Sequence, residues 1–409
     1  MKSGFVKCQL SVFCCAVLGL FGAGNASASQ PQSPVLYLEF SSTDNAPHLI
    51  ENILEEYGFR HVEVFELESI ESLVAKVELK SIAAARLQSL LWELSQDARL
   101  AHFSLATEFS VAAAKGLKAD GQLASDPYAP LQDSHNVTRV TASQRFSLGR
   151  GVKVAIIDTG IDARHVDLSK QIATQLNFVG ADQEFRAVEF HATAVAGVIA
   201  ADGNNGHGII GVAPKARLYA LRACVEPNPG ESRGKCSSLA LARALDWAII
   251  NRMDVINMSV RGRDDELVTR LIRKAFKEGI TVVAATDLTN GQLDFPAKLA
   301  EVVAVSDQES NSLVGLAAHS QRIFIAPGEE VLTTLPNSTY DFVSGASFAA
   351  AHVSGIIALL LEVEPALKPK EVISLLRSSV RIINWGIVVD SCQALIQLGR
   401  TRSCDTYWR

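Results

Sequence analysis

Between residues 34 and 110 the apolar positions alternate between strand and helix periods. Val35-Leu36-Tyr37-Leu38 reads as a strand. Leu49, Ile50, Ile53, Leu54 and Tyr57 then fall at helical spacing, with Gly58 placed to end the helix. Val62, Val64 and Phe65 resume strand character, as does the run from Leu73 to Val77. A second helical stripe carries Leu87, Leu90, Leu91 and Leu94, and Ser81 is its expected N-cap. A closing strand over 103–109 completes β-α-β-β-α-β, the order of a small ferredoxin-like α+β unit. Nothing in this unit has the look of catalytic chemistry.

The pattern is lost from residue 111 to 147, where Gly, Ser, Asp and Pro without sustained periodicity predict a linker and an exposed arm. It returns in a different form over 148–396. Val152 to Ile157 is an almost uninterrupted apolar run, as expected of a strand buried on both faces. Comparable runs occur at 218–221, 255–258, 280–285, 302–305 and 323–325. Between them Leu241, Ala242, Leu245, Ala248 and Ile249 make a helical face. This alternation predicts an α/β fold, a mainly parallel central sheet with helices on both faces. Residues 397–409 are expected to be a C-terminal tail.

The start of the chain is read as targeting rather than fold. Lys2 and Lys7 precede an apolar run from Leu10 to Phe21, and Ala26-Ser27-Ala28 offers small residues for cleavage. The run is shorter than the roughly 20 residues of a membrane span. Residues 1–28 are therefore expected to be a cleaved signal peptide, giving a secreted or periplasmic protein without a stable membrane anchor. Cys224, Cys236, Cys392 and Cys404 lie beyond it, in two pairs each 12 residues apart. In an exported chain this spacing predicts two local disulfides. Zinc ligation is the rival, but there is no C-x-x-C and no His cluster at zinc spacing.

Composition adds limits. With 48% hydrophobic and 20% charged residues the chain can build packed cores. A net charge of -6 without a basic stripe argues against nucleic acid as a partner. A monomer is expected.

Three segments carry candidate chemistry. Asp158 closes the apolar run Ile156-Ile157 and precedes Thr159-Gly160, so it sits where open α/β sheets place their sites. His191 opens a run of small and apolar residues reaching Ala201. Ser347 opens a helix that is apolar on every face and extends to about Glu362. Such a helix is deeply buried, and its start directs a positive dipole end at whatever lies above the serine.

The order Asp, His, Ser, each beside a strand or helix end, is that of subtilisin. Ile157-Asp158-Thr159-Gly160, His191 with Thr193, Val195, Ala196 and Gly197, and Gly345, Ser347, Ala349, His352 and Val353 resemble the three motifs of the subtilisin-like serine proteases (peptidase S8). Gly211-Val212-Ala213-Pro214 and the segment 255–259 look like further family segments, so the resemblance covers about residues 128–396. It implies a serine endopeptidase with Ser347 as nucleophile, His191 as proton shuttle and Asp158 orienting the imidazole. It implies that Ser259, Val260, Arg261 and Gly262 line the cleft and pair with an extended protein or peptide substrate. It also implies that residues 34–110 are an inhibitor-like propeptide, removed by self-processing. No cofactor is required. Family members often bind calcium, but Asn204 and Asn205 read as a solvated turn rather than a clear metal site.

The chain departs from the family pattern at several positions. Phe190 and Ala192 replace glycines beside the histidine, Ala346 and Ala351 replace Thr and Pro around the serine, and Val260-Arg261-Gly262 replaces Leu-Gly-Gly. Thr286-Asp287 stands where the family has Gly-Asn, at the oxyanion position, with Asn290 as a substitute donor if the loop bends. Loss of that amide costs about 10² to 10³ in subtilisin turnover. Two functions follow, an active peptidase or a catalytically weak pseudoprotease that binds peptides on the same scaffold. Dinucleotide binding is set aside for want of G-x-G-x-x-G after the first strand. Arg261 either reaches the cleft and favours acidic substrate residues, or points to solvent beside Asp264 and Asp265.

Overall fold

The computed structural model describes residues 34–42, 46–59, 62–79, 82–111, 126–180, 189–228, 234–287, 292–307, 322–384 and 386–403. The expected signal peptide, Ser81, Asn290 and Cys404 lie outside them. The described chain divides into two compact units, one made of residues up to 66 and 71–106, the other of 67–70 and 107 onward.

In the first unit β1 (Val35–Ser41), α1 (Ala46–Glu56), β2 (Val62–Leu67), β3 (Ser72–Glu78), α2 (Ala84–Ser95) and β4 (His102–Leu105) follow the expected order. The sheet runs β2-β3-β1-β4, with β1 antiparallel to both β3 and β4. That is the ferredoxin-like arrangement. Leu36, Leu38 and Phe40 of β1 and Ile50 and Ile53 of α1 pack with Leu87, Leu90, Leu91 and Leu94 of α2. Ala83, not Ser81, occupies the N-cap of α2 and makes no side-chain capping bond. Packing of the leucine stripe therefore sets the start of this helix.

The single strand expected over 103–109 is two strands. β4 ends at Leu105, and β5 (Glu108–Val111) joins a sheet of the second unit. The arm predicted over 111–147 is also structured in part. It contains α3 (Asp133–Val137) and α4 (Val140–Ser143), where His135, Val140 and Ser143 are buried. Helices of five and four residues are too short to show a period.

The second unit then runs through β6 (Lys153–Asp158), β7 (Ile172–Asn177), α5 (Phe190–Ala200), β8 (Arg217–Arg222), β9 (Cys224–Val225), β10 (Lys235–Ser237), α6 (Ser238–Ile250), β11 (Val255–Met258), β12 (Val260–Gly262) and α7 (Glu266–Lys277). It continues with β13 (Thr281–Ala285), β14 (Val302–Ser306), β15 (Ile323–Ile325), β16 (Val331–Leu335), β17 (Thr339–Val343), α8 (Ala346–Val363), α9 (Pro369–Ser378), β18 (Val380–Ile383), β19 (Gly386–Val389) and α10 (Ser391–Gln397). Seven strands form one sheet in the order β15-β14-β13-β11-β6-β8-β7, and every recorded pairing is parallel. Successive strands depart in opposite directions from β6, so the crevice at its C-terminal end lies at the topological switch point. Helices α5 and α8 pack on each other and bury almost all their residues.

A buried turn fastens the start of this unit to α8. The Ser147 hydroxyl and the N–H groups of Leu148, Gly149 and Arg150 all donate to the Glu362 carboxylate, at 2.6 to 3.0 Å. Burial pushes this carboxyl up, but the Ser147 hydroxyl and the three backbone donors outweigh it and hold the group below its usual range. Glu362→Ala should cost about 2 kcal/mol through lost charge-assisted bonds. Because the folded pKa is depressed, the contribution is present above the unfolded value of 4.5 and is lost as pH falls through the folded one. Melting of wild type and Glu362→Ala should converge at acid pH. A constant gap between the two curves would contradict this.

Candidate active site

Asp158 is the last residue of β6, fully buried at the switch point. Its Oδ1 accepts the N–H of Thr159 at 2.6 Å, which holds the carboxylate toward the turn. His191 is the second residue of α5, and its Nδ1 donates to Asp158 Oδ1 at 2.9 Å and faces Oδ2 at 3.0 Å. Thr159 Oγ1 accepts the Ala192 N–H, so the Asp158 turn and the His191 helix are joined twice. The small residues that follow His191 let α5 pack closely against α8 and the strand β16.

Ser347 is the second residue of α8. The cap of that helix is Gly345, whose φ of 147° and ψ of 154° suit glycine rather than a residue with a side chain. Ser347 therefore lies inside the helix and its hydroxyl makes no capping bond, unlike a serine at the cap itself. The His191 ring packs on Phe348, the next residue, with ring centroids 5.8 Å apart. Among the described residues, His191 Nε2 and Ser347 Oγ are both buried and both lack a hydrogen-bond partner. Buried polar atoms are rarely left so.

A polar chain ties the serine to the neighbouring strand. Ser354 Oγ donates to Asn257 Oδ1 at 2.9 Å, Asn257 Nδ2 donates to Ser259 Oγ at 3.1 Å, and Ser259 Oγ donates to the Ser347 carbonyl at 3.3 Å. Beyond Ser259, β12 forms one edge of the sheet β12-β5-β10-β9. The chain's own β5 lies inside that sheet, antiparallel to both neighbours. Val111, Ser110 and Phe109 stand opposite Val260, Arg261 and Gly262 on one side, while Ser110, Phe109 and Glu108 stand opposite Lys235, Cys236 and Ser237 on the other. Phe109 packs on Phe295 at 5.8 Å. A Cβ on Gly262 would come within 2.5 Å of the Phe109 ring, so this close approach requires glycine. The Cys224–Cys236 disulfide links β9 to β10 at the far side. Cys392 is also disulfide-bonded.

Arg261 does not point to solvent beside Asp264 and Asp265, the second of its expected courses. Its Nη1 donates to Asp287 Oδ2 at 3.0 Å and lies 3.9 Å from Asp294 Oδ2. Asp264 instead pairs with Lys298, and Asp265 caps α7 by accepting the Val268 N–H. The guanidinium reaches Asp287 because β12 and β13 end side by side. The Asn204 and Asn205 turn is closed by Asp126, which accepts the N–H groups of Asn204, Asn205 and Gly206. No group of three or more His, Cys, Asp or Glu residues placed to hold a metal occurs among the described residues.

Three charged residues at the site escaped the sequence reading. Glu189, the residue before α5, accepts from Arg222 Nε and Nη2, both at 2.6 Å, and from the Gly160 N–H. Arg222 is 2% exposed, at the end of β8 directly opposite Asp158. Glu226 accepts the His191 N–H at 2.8 Å; burial pushes its carboxyl up to about 7, against the pull of the Phe190 and His191 N–H groups. The available signal was an arginine at the very end of the apolar run 218–221, which needs a buried partner.

The sequence profile of the peptidase S8 group, described as the Subtilase family, matches residues 149–395. The minor extracellular protease Epr of Bacillus subtilis (strain 168) is 32% identical over 298 residues, which are 70% of this chain and 44% of that protein. The major intracellular serine protease of the same organism is 35% identical over 229 residues, 53% of this chain and 70% of that protein. Among solved structures, fervidolysin from Fervidobacterium pennivorans, a keratinolytic enzyme related to subtilisin, superposes with a TM-score of 0.70 over 91% of this chain and 62% of its own. At 20% identity this is a likeness of fold. The chain thus spans less than half the length of Epr and under two thirds of fervidolysin. A profile match over residues 149–395, together with these relatives, makes the chain a member of the subtilase family of serine peptidases.

Proposed function

We propose that this chain is an exported serine endopeptidase, made as a precursor, in which Asp158, His191 and Ser347 act as the triad. The observation that carries the reading is the hydrogen-bonded Asp158–His191 pair beside a serine whose Oγ, like His191 Nε2, is buried without a partner. Such atoms are free to take up a substrate. Ser347 Oγ would attack the peptide carbonyl as its proton passes to His191 Nε2. Asp158 would keep the Nδ1–H tautomer and stabilise the imidazolium, and the imidazolium would return the proton to the leaving amine. The start of α8 would face the developing oxyanion with its backbone N–H groups and dipole.

The position of β5 supports the precursor reading. A segment of the chain itself fills the place of an extended peptide between β12 and β10, as a propeptide end would before and after self-cleavage. Residues 34–110 would then act as the intramolecular inhibitor. Export is supported by the expected signal peptide and by extracellular relatives such as Epr.

The test is fluorophosphonate labelling of the purified signal-less protein, with Ser347→Ala as control. Labelling of the wild type alone, together with loss of a propeptide-sized fragment from the wild type alone, is the expected result. A wild type that stays full length like Ser347→Ala, and that does not label when folded with or without residues 34–110, would leave a peptide-binding pseudoprotease instead.

A further inference from the structure

The acidic loop after β13 raises a physical problem. Asp287 follows the C-terminal end of β13, a strand packed against α8 and two places from β6 in the sheet. The intervening strand, β11, leads through Ser259 to the Ser347 carbonyl. Asp287 and Ser347 thus border the same end of the sheet. Attack by a serine on a carbonyl places negative charge on oxygen above the start of α8. A free carboxylate at that border would oppose it, and the field would be weakly screened near a buried serine.

We propose that Arg261 is a positioning residue that makes Asp287 compatible with turnover, an inference that rests on the peptidase reading above. Its guanidinium neutralises the carboxylate and restrains it against the substrate-edge strand. The Asp287–Arg261 contact at 3.0 Å is the shorter of two, and Asp294 completes the arrangement. Asp294 Oδ2 lies 3.9 Å from the guanidinium and accepts the Asp287 N–H at 3.4 Å, while the Asp294 N–H donates to Thr286 Oγ1 at 3.2 Å. Asp287 and Asp294 are thereby joined, with the Asp287 carboxylate turned toward Arg261 of β12. Arg261 itself does not touch substrate through its side chain in this role. Its backbone keeps the strand pairing seen with Ser110.

Both side chains are about one third exposed, at 34% for Arg261 and 29% for Asp287, so solvent screens the pair and the expected effect is moderate. Arg261→Gln should lower kcat and the fluorophosphonate labelling rate about tenfold. Affinity of Ser347→Ala for an uncleaved peptide should be unchanged by the same substitution, because no charge develops in that complex. The decisive arm is Arg261→Gln/Asp287→Asn, which removes both charges and should recover most of the lost rate. Equal rates in wild type and Arg261→Gln would overturn the inference alone. So would a double variant as slow as Arg261→Gln, since a merely structural role of the arginine is not rescued by neutralising its partner. A wild type that never labels would overturn it together with the peptidase reading.

Discussion

Asp158→Asn should reduce turnover and labelling by about 10⁴-fold while leaving the fold intact. The reason lies in the tautomer. In the native pair His191 Nδ1 donates to a carboxylate that can only accept, which favours the tautomer with Nε2 unprotonated, the atom that would take the Ser347 proton in the proposed reaction. With asparagine, the Thr159 N–H still calls for an acceptor at the Oδ1 position. The amide nitrogen then takes the Oδ2 place, 3.0 Å from His191 Nδ1. An N–H donor there faces Nδ1 beside the retained Oδ1 acceptor and raises the share of the tautomer protonated on Nε2, which cannot serve as base. Since the amide matches the carboxylate in size, the thermal midpoint measured in the Ser347→Ala background should stay within a few degrees. A loss of activity smaller than tenfold would show that Asp158 does not govern the histidine.

Arg222→Met should have the largest effect on stability, about 3–5 kcal/mol. Arg222 is buried beside Asp158 in the β6–β8 register, and its two bonds to Glu189 are the charge compensation visible for a carboxylate that is 4% exposed. Removing the guanidinium leaves Glu189 buried and unpaired. Glu189 also receives the Gly160 N–H, and its carbonyl receives the Thr193 hydroxyl. The variant should therefore loosen the Asp158 turn and the start of the His191 helix together. Denaturant midpoints of inactive Ser347→Ala protein with and without Arg222→Met measure the cost. Adding Glu189→Leu should restore part of it, because an apolar pair no longer carries an uncompensated charge. If the double variant is as unstable as Arg222→Met, the loss comes from packing rather than from charge.

Much of this site was legible in the sequence because its parts are local. Asp158 was visible as a carboxylate ending an apolar run, since a strand buried on both faces has nowhere else to place one. His191 and Ser347 were visible because each begins a run of small or apolar residues too uniform for a surface helix, and both helices are indeed buried. The strands at 153–158, 217–222, 255–258, 281–285, 302–306 and 323–325 fall on the predicted runs for the same reason. The strand β7, with every residue but the last half-buried at the sheet edge, carries no such run and was missed. The short strands β9 and β10 escaped because two or three residues have no period.

What the sequence determined by itself was the parallel-sheet class, the ferredoxin-like order of the first unit and the Cys224–Cys236 pairing, while its family resemblance singled out Asp158, His191 and Ser347 as the candidate site. Each depends on neighbours within a few residues or on the period of one element. Tertiary structure alone decided that β5 leaves the expected strand to lie between β12 and β10, that Glu189 meets Arg222 across 33 residues, and that Arg261 meets Asp287 across 26. These contacts join different elements. Their charges and backbone donors carry no directional signal along the chain until the sheet brings the strand ends together.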